Sequence, residues 1–158
     1  MTTSSSSRVR LGAAVLTLAL PALAALPALV RAEVVDLTCL GGGRLTDADL
    51  GHGTAIVVLW ASWSPRSRGI AERVGALASR WGGRARVVTV NFQEDGAVVE
   101  RFVGKGLGAP VCLDPEGTFS HNYKVATLPG LVVLKDGQVV YSGKMPDDPD
   151  AVIAPAVR

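Results

Sequence analysis

The sequence predicts an α/β domain in which a central mixed β-sheet lies between layers of helices, and three observations support this. Residues 55–61 are a continuous apolar run of strand length, as in a strand that is buried on both faces, and residues 86–92, which read RVVTVNF, predict a second buried strand. Residues 67–81 lie between them and carry apolar side chains at helical spacing. Residues 130–143 contain two strand-like runs joined by an Asp-Gly pair, which is a strong hairpin signal. A strand–helix–strand order followed by a hairpin is typical of layered α/β architecture.

Shorter elements complete the predicted sheet and its helices. Residues 33–37 form a strand candidate that a Gly-rich turn follows, and residues 97–105 have the pattern of a short helix. Residues 110–114 predict a brief strand, and residues 118–125 predict one or two helical turns. After residue 143, three prolines leave room only for a short or truncated last helix. One face of the sheet is therefore expected to be partly open for a partner.

The first 32 residues have the layout of a secretory signal. Residues 1–10 are polar with two arginines, residues 11–30 are apolar and uncharged, and Val30 and Ala32 stand where a signal peptidase reads small or aliphatic side chains. We therefore expect a signal peptide over residues 1–32 and a periplasmic or extracellular protein. The alternative is an uncleaved N-terminal anchor, since the apolar run is nearly long enough to span a bilayer.

The remaining residues, 33–158, are enough for one domain with one compact core. The full sequence has 16 basic and 14 acidic residues; the leader holds three of the arginines and no acid, so 13 basic residues remain against 14 acidic ones. This net charge of −1, without a basic cluster or stripe, argues against a nucleic-acid partner. Membrane contact is expected only through the leader, if it stays uncleaved.

A motif follows the first buried strand. Residues 60–67 read Trp-Ala-Ser-Trp-Ser-Pro-Arg-Ser, and a Leu-Pro pair at 128–129 immediately precedes the hairpin. The order of strand, Trp-x-x-Trp turn, helix, strand, helix, Leu-Pro and hairpin resembles the thioredoxin-like superfamily. The segment 110–129 looks like the insertion of exported TlpA-like and redoxin proteins, and the likeness covers residues 33–143. The resemblance implies a thioredoxin-like three-layer sandwich.

The resemblance also implies what the motif should contain. Relatives carry Trp-Cys-x-x-Cys at the helix start, and Ser64 and Ser67 occupy the two cysteine positions here. Pro129 matches the family's cis-proline, which packs against that turn, and Val58 stands where thioredoxins place a buried acid. Both sulfurs and the acid are thus missing from a scaffold whose relatives act as thiol–disulfide oxidoreductases, in cell redox homeostasis or cytochrome c maturation.

The missing sulfur limits the chemistry that can be expected. Thiol–disulfide exchange needs a thiolate to attack and a second sulfur to resolve the mixed disulfide. A serine hydroxyl does not ionise at a helix N-terminus as a cysteine thiol does, and no adjacent base is evident. Serine is a good N-cap and proline suits the first helical position, so Ser64-Pro65 is interpreted as a helix start. We predict no catalytic residue at this motif and no cofactor.

A binding function remains open at the same surface. Trp63 is expected to be exposed on the turn, whereas Trp60 is expected in the core. In relatives, the turn and the loop before the proline hold the backbone of the substrate. The candidate residues for binding an extracytoplasmic protein or peptide are Trp63, Pro65, Arg66, Leu128 and Pro129. The alternative is an inherited surface without a partner.

Two cysteines, Cys39 and Cys112, lie outside the motif. An oxidising compartment favours their pairing, but three possibilities remain open: a structural disulfide, two buried free thiols, or a displaced redox pair. His52 and His121 add no zinc-finger spacing to them, so we predict no metal site.

The sequence thus predicts an exported thioredoxin-like protein that is redox-inactive at the usual position and acts as a protein-binding or chaperone-like module. The alternative is a thiol–disulfide oxidoreductase that uses Cys39 and Cys112.

Overall fold

The computed structural model describes Met1 and residues 33–158, so the predicted signal peptide and its cleavage lie outside the described residues, except for Met1. Within that part of the chain, no helix is both long and apolar enough to cross a membrane. The elements in chain order are β1 (Asp36–Thr38), β2 (Arg44–Thr46), α1 (Asp47–Leu50), β3 (Thr54–Trp60), a 3₁₀ turn (Pro65–Ser67), α2 (Ile70–Trp81), β4 (Arg86–Phe92), α3 (Gly96–Val103), β5 (Val111–Asp114), α4 (Thr118–Asn122), β6 (Gly130–Lys135), β7 (Gln138–Lys144) and α5 (Asp150–Val157).

Five strands form the central sheet, in the order β5-β4-β3-β6-β7. β3 is parallel to β4, and β4 is parallel to β5, whereas β6 is antiparallel to both β3 and β7. Every residue of β3 is buried. A strand with neighbours on both sides and a core on both faces needs apolar side chains throughout, which explains the continuous apolar run. The predicted mixed sheet is confirmed.

The side chains of β3 alternate between two cores. On one face, Ile56 and Trp60 pack with α2 and α5, together with Val99 of α3. α2 and α3 share this face because crossovers between parallel strands are right-handed. On the other face, Val57 and Leu59 pack against β1, β2, α1 and α4. The structure therefore has the predicted three layers.

The bounds of some elements differ from the prediction. The first strand begins at Asp36, and the Gly-rich turn leads into a second strand, so that β1 and β2 form a small antiparallel hairpin. α1 is not predicted by periodicity, because it has only four residues. Thr46 and Asp49 stabilise it through a capping box, in which each side chain bonds the other residue's backbone N–H.

The hairpin and the last helix agree with the prediction. Asp136 and Gly137, which join β6 to β7, have positive φ angles of 48° and 77°, as a tight turn between two strands requires. α5 is short, with eight residues, and contains Pro155. Its Ile153 is fully buried against the sheet. An open cavity of about 570 Å³ remains beside α5, between α2 and the segment that precedes α5.

Cys39 and Cys112 form a disulfide. Cys39 follows β1, Cys112 lies in β5, and the two residues also form an isolated antiparallel bridge. Next to them, the Leu40 N–H donates to the Val111 carbonyl oxygen at 2.8 Å. Cys112 is fully buried and Cys39 is only 8% exposed. Of the three possibilities, two free thiols is therefore wrong, and the disulfide ties the inserted strand to the beginning of the domain.

We expect that no thiol titrates in the unreduced protein, whether it is folded or denatured. Replacing both cysteines, as Cys39→Ala with Cys112→Ala, should lower the free energy of unfolding, because the bridge restricts the unfolded chain over a sequence separation of 73 residues. The chain-entropy model gives a loss of about 4 kcal/mol. Urea denaturation of the two forms measures the loss, and two reactive thiols in unreduced, denatured protein would contradict the bridge.

Candidate functional site

The motif lies at the edge of the sheet where three parallel strands end. β3 ends at Trp60, β4 at Phe92 and β5 at Asp114, and β6 begins beside them at Gly130 because it runs antiparallel. Ligand sites in α/β sheets lie outside the carboxyl ends of the strands. The sheet therefore brings the turn after β3 and the loop before β6 to the same place.

The motif itself forms a 3₁₀ turn that precedes α2. Ser64 is the N-cap residue of this turn, but its side chain makes no capping hydrogen bond. Gly69 has a φ of 73° in the left-handed region and separates the turn from α2, which begins at Ile70. The interpretation of Ser64 as a hydroxyl cap on the long helix is therefore wrong. Pro65 does occupy the first position of the 3₁₀ turn, where its missing N–H is tolerated.

Both serines of the motif are buried. Ser64 is 7% exposed and Ser67 is 1% exposed. Among the described residues, the Ser67 Oγ has no hydrogen-bond partner. A buried hydroxyl without a partner costs roughly 1–3 kcal/mol in desolvation, so this position does not favour an ionised oxygen. Val58, which stands where relatives carry a buried acid, packs in the apolar core and supplies no base.

A carboxylate that was not predicted from the sequence fixes the beginning of the turn. The Ser62 N–H donates to Glu94 Oε2 at 2.7 Å, and the Ser62 hydroxyl donates to Glu94 Oε1. Asn91 Nδ2 donates to the same carboxylate at 2.7 Å. Glu94 follows β4, so it reaches the turn from the neighbouring parallel strand. These bonds hold the backbone next to Trp63 in place.

The two tryptophans of the motif have opposite environments. Trp60 is fully buried and its ring stacks on Phe102, with 5.2 Å between the ring centroids. Trp63 is 60% exposed. This is the arrangement that the sequence predicts for them.

A cavity of about 510 Å³ opens beside Trp63. It contains four of the five predicted binding residues in its lining: Trp63, Pro65, Arg66 and Leu128. Four further lining residues were not predicted: Phe92, Val125, Ala126 and Thr127. Phe92 could have been found, because it ends the strand that runs parallel to β3. The others lie in the inserted segment, whose path the sequence does not determine.

The fifth predicted residue, Pro129, is buried and does not line the cavity, and the Leu128–Pro129 peptide bond is cis. Gly130, the first residue of β6, follows it directly. A Cβ at Gly130 would overlap Val125 Cγ1 and lie 3.1 Å from the Thr127 carbonyl oxygen. The glycine is thus required for packing inside the protein, because β6 begins directly against Val125 and Thr127.

The wall formed by the insertion depends on Asp114. This residue is fully buried, and its Oδ2 accepts the backbone N–H groups of Phe119 at 3.1 Å and Ser120 at 3.3 Å. Burial raises the pKa of the Asp114 carboxyl, while the backbone donors partly oppose this effect. The bonds hold α4 against the end of β5, and the chain that leaves α4 supplies Val125 and Ala126 to the cavity.

The remaining candidate residues do not line this cavity. Cys39 and Cys112 pack in the core on the side of β1 and β2. The ring Nδ1 of His52 lies 3.1 Å from the Ala48 carbonyl oxygen, and His121 is exposed on α4. The described part of the chain holds no group of three or more His, Cys, Asp or Glu side chains suited to a metal ion.

The five-stranded mixed sheet, with a cis-proline loop beside a Trp-containing turn, is a thioredoxin-like fold. Neither protein-family models nor the sequences of curated proteins match the chain. Solved structures do match it. The exposed lipoprotein thioredoxin Etrx1 of Streptococcus pneumoniae strain TIGR4 has a TM-score of 0.67 and 19% identity, over 78% of this chain and 98% of that chain.

Two further structures are similar. A secreted Mycobacterium tuberculosis disulfide oxidoreductase, homologous to E. coli DsbE, has a TM-score of 0.62 and 21% identity over 77% of this chain and 92% of its own. StoA from Bacillus subtilis has a TM-score of 0.60 and 22% identity over 71% and 87%, respectively. The predicted thioredoxin-like fold class is confirmed.

The contrast between the two tryptophans gives a test of the site's geometry. Trp60→Ala should lower the free energy of unfolding by roughly 3–5 kcal/mol, because it leaves a cavity in the core. Trp63→Ala should change it by no more than about 0.5 kcal/mol, as for other surface substitutions. Urea denaturation followed by circular dichroism measures both. Equal destabilisation by the two variants would show that Trp63 is not at the surface.

Proposed function

We propose that this protein is an exported thioredoxin-like binding module that is redox-inactive at the usual position and holds an extracytoplasmic protein or peptide beside Trp63. One observation carries the proposal. Serines stand at the two positions where relatives carry cysteine, and a cavity is nevertheless formed beside them. Thiol–disulfide exchange at this position would need two sulfurs. Binding of a polypeptide in the groove needs none.

The lining of the cavity supports polypeptide binding. Trp63 is 60% exposed next to apolar side chains of Phe92, Val125 and Leu128, and Arg66 lies at the same opening. Tryptophan and arginine are the residue types that most often dominate the energy of an interface. The loop before β6 offers backbone groups to an extended segment, which is a mode of recognition that depends on main-chain hydrogen bonds.

The leader supports the exported location in the proposal. Its polar start, apolar run and small-residue end are those of a secretory signal. The similar structures include an exposed lipoprotein and a secreted protein. A disulfide between Cys39 and Cys112 is also expected for an oxidising compartment.

A second candidate function is thiol–disulfide exchange through Cys39 and Cys112. The observation in its favour is that the two residues form a disulfide. The burial of both residues opposes it, because a substrate thiolate must reach a sulfur in order to attack. The first candidate is therefore preferred.

Reduction of a disulfide substrate tests the redox part of the proposal. With a dithiol as reductant, the natural protein should not exceed the uncatalysed rate, because the turn has no sulfur. Ser64→Cys combined with Ser67→Cys should produce measurable activity, since the turn and the cis-proline loop are already in place. The rate should stay low because Val58 provides no acid.

The cysteine variants distinguish the outcomes of that assay. Activity of the natural protein that persists in Cys39→Ala with Cys112→Ala would refute redox inactivity. Activity that is lost with either cysteine would support the second candidate function.

Peptide binding tests the part of the proposal that concerns polypeptide recognition beside Trp63. Overlapping peptides from exported proteins of the source cell are displayed on an array, and the affinity of the best binders is then measured in solution. Trp63→Ala should weaken binding by more than about fivefold, which corresponds to about 1 kcal/mol. Arg66→Glu should weaken binding of peptides that carry an acidic residue. Val98→Ala, at a 38% exposed position on α3, is the matched control. Unchanged affinity in both Trp63→Ala and Arg66→Glu would leave an inherited surface without a partner.

A further inference from the structure

Two polar residues near the end of β4 are linked to the turn that carries Trp63. Asn91 is fully buried in β4, and Glu94 is half-buried between β4 and α3. Asn91 Nδ2 donates to Glu94 Oε2 at 2.7 Å, and the same oxygen accepts the Ser62 N–H at 2.7 Å. Neither residue lines the cavity beside Trp63. Their hydrogen-bonded link to this cavity is Ser62, the residue before Trp63.

The turn is fixed at two points, and Trp63 lies between them. The Ser64 N–H donates to the Ala61 carbonyl oxygen at 3.2 Å, which closes a turn of four residues. On the other side of Trp63, the N–H and the hydroxyl of Ser62 both donate to Glu94. Trp63 is 60% exposed, so the order of its backbone depends on these bonds more than on burial of its side chain.

The segment that brings Glu94 to Ser62 has two features that cost stability. Asn91 Oδ1 is buried and has no hydrogen-bond partner among the described residues. A buried acceptor of this kind loses its hydration and gains no bond in return. Gln93, next to Glu94, has a φ of 52°, in the left-handed region that residues other than glycine rarely adopt. Costly local features cluster at functional sites.

From these observations we propose that Asn91 and Glu94 are positioning residues, which order the turn around Trp63 for a polypeptide and lower the stability of the end of β4. This inference rests on the proposed function, because it concerns the affinity of the same site. The three groups that donate to Glu94 are neutral, and no basic side chain of the described residues forms an ion pair with it. The position therefore requires the hydrogen bonds and not the negative charge.

Substitutions of Glu94 test the positioning without changing the lining of the cavity. Glu94→Ala removes all three bonds, so the NMR order parameter of the Trp63 N–H should fall from about 0.85, the rigid range, towards about 0.6. Glu94→Gln should retain most of the order, because an amide oxygen can accept both N–H groups while the amide NH₂ donates to the Ser62 hydroxyl. Glu100→Ala, at an exposed acid on α3, is the matched control and should leave the order parameter unchanged.

The affinity for the best peptides from the array should follow the order of the turn. Glu94→Ala should weaken binding about three- to tenfold, as expected where a side chain has to be ordered on binding. Glu94→Gln should weaken binding much less. Together with Trp63→Ala, the same Glu94→Ala change should have little further effect, because the side chain that it positions is gone.

Asn91→Leu combined with Glu94→Ala distinguishes positioning from an ordinary structural role. The double variant replaces both polar partners by apolar side chains and leaves no buried amide at position 91. Its midpoint of urea denaturation should therefore be at least as high as that of the natural protein. Its peptide affinity should remain as low as that of Glu94→Ala. Residues that served stability alone would lower both quantities together.

Three results would overturn the proposal. They are an unchanged order parameter in Glu94→Ala, an affinity that stays unchanged although the order parameter falls, and a urea midpoint of the double variant below that of Glu94→Ala. A natural protein that binds no peptide would refute the proposed function, and with it the purpose assigned to the turn. The order parameters would still show whether Glu94 holds the turn, so the two failures can be told apart.

Discussion

The burial of β3 on both faces is the constraint on which the rest of the structure depends. All seven of its residues are buried, between β4 and β6 within the sheet and between two cores above and below it. A strand held in this way cannot shift its register without moving apolar side chains to the wrong face. The position where it ends is therefore fixed. Trp60 anchors that end in the core, and the chain emerges as a turn that presents Trp63 to solvent.

The geometry of the groove and redox chemistry are separable in this fold. The ends of parallel strands, the cis-proline loop and the Glu94 carboxylate shape the groove, and none of them needs a sulfur atom. The hydroxyl groups of the two motif serines do not stabilise the turn. Ser64 makes no capping bond, and the Ser67 hydroxyl is buried without a partner among the described residues. The function has to be argued from the site, and this site has a cavity beside Trp63 and no sulfur atom in the turn.

The sequence predicts the sheet, its order of elements and the exposed Trp63, because each depends on local patterns. Apolar runs of strand length, helical spacing and an Asp-Gly turn are all visible in short windows. The helix start was predicted wrongly, because a serine followed by a proline fits both an α-helix and a 3₁₀ turn. Gly69, with its positive φ, decides between them. Glu94 and Val125 could not be assigned to the site, since their roles depend on contacts between segments distant in the chain.

The disulfide supports the groove from behind. Cys112 lies in β5, two residues before Asp114, so tying this strand to the beginning of the domain also fixes the carboxylate that holds α4. α4 in turn determines where Val125 lies, and Val125 lines the cavity and packs over Gly130. The two cysteines of this protein therefore belong to the support of the insertion. In that position the bond is useful as long as it stays closed, which agrees with the burial of both cysteines. In this thioredoxin-like scaffold the two cysteines form a buried bridge, and through β5, Asp114 and α4 that bridge contributes to the shape of the surface beside Trp63.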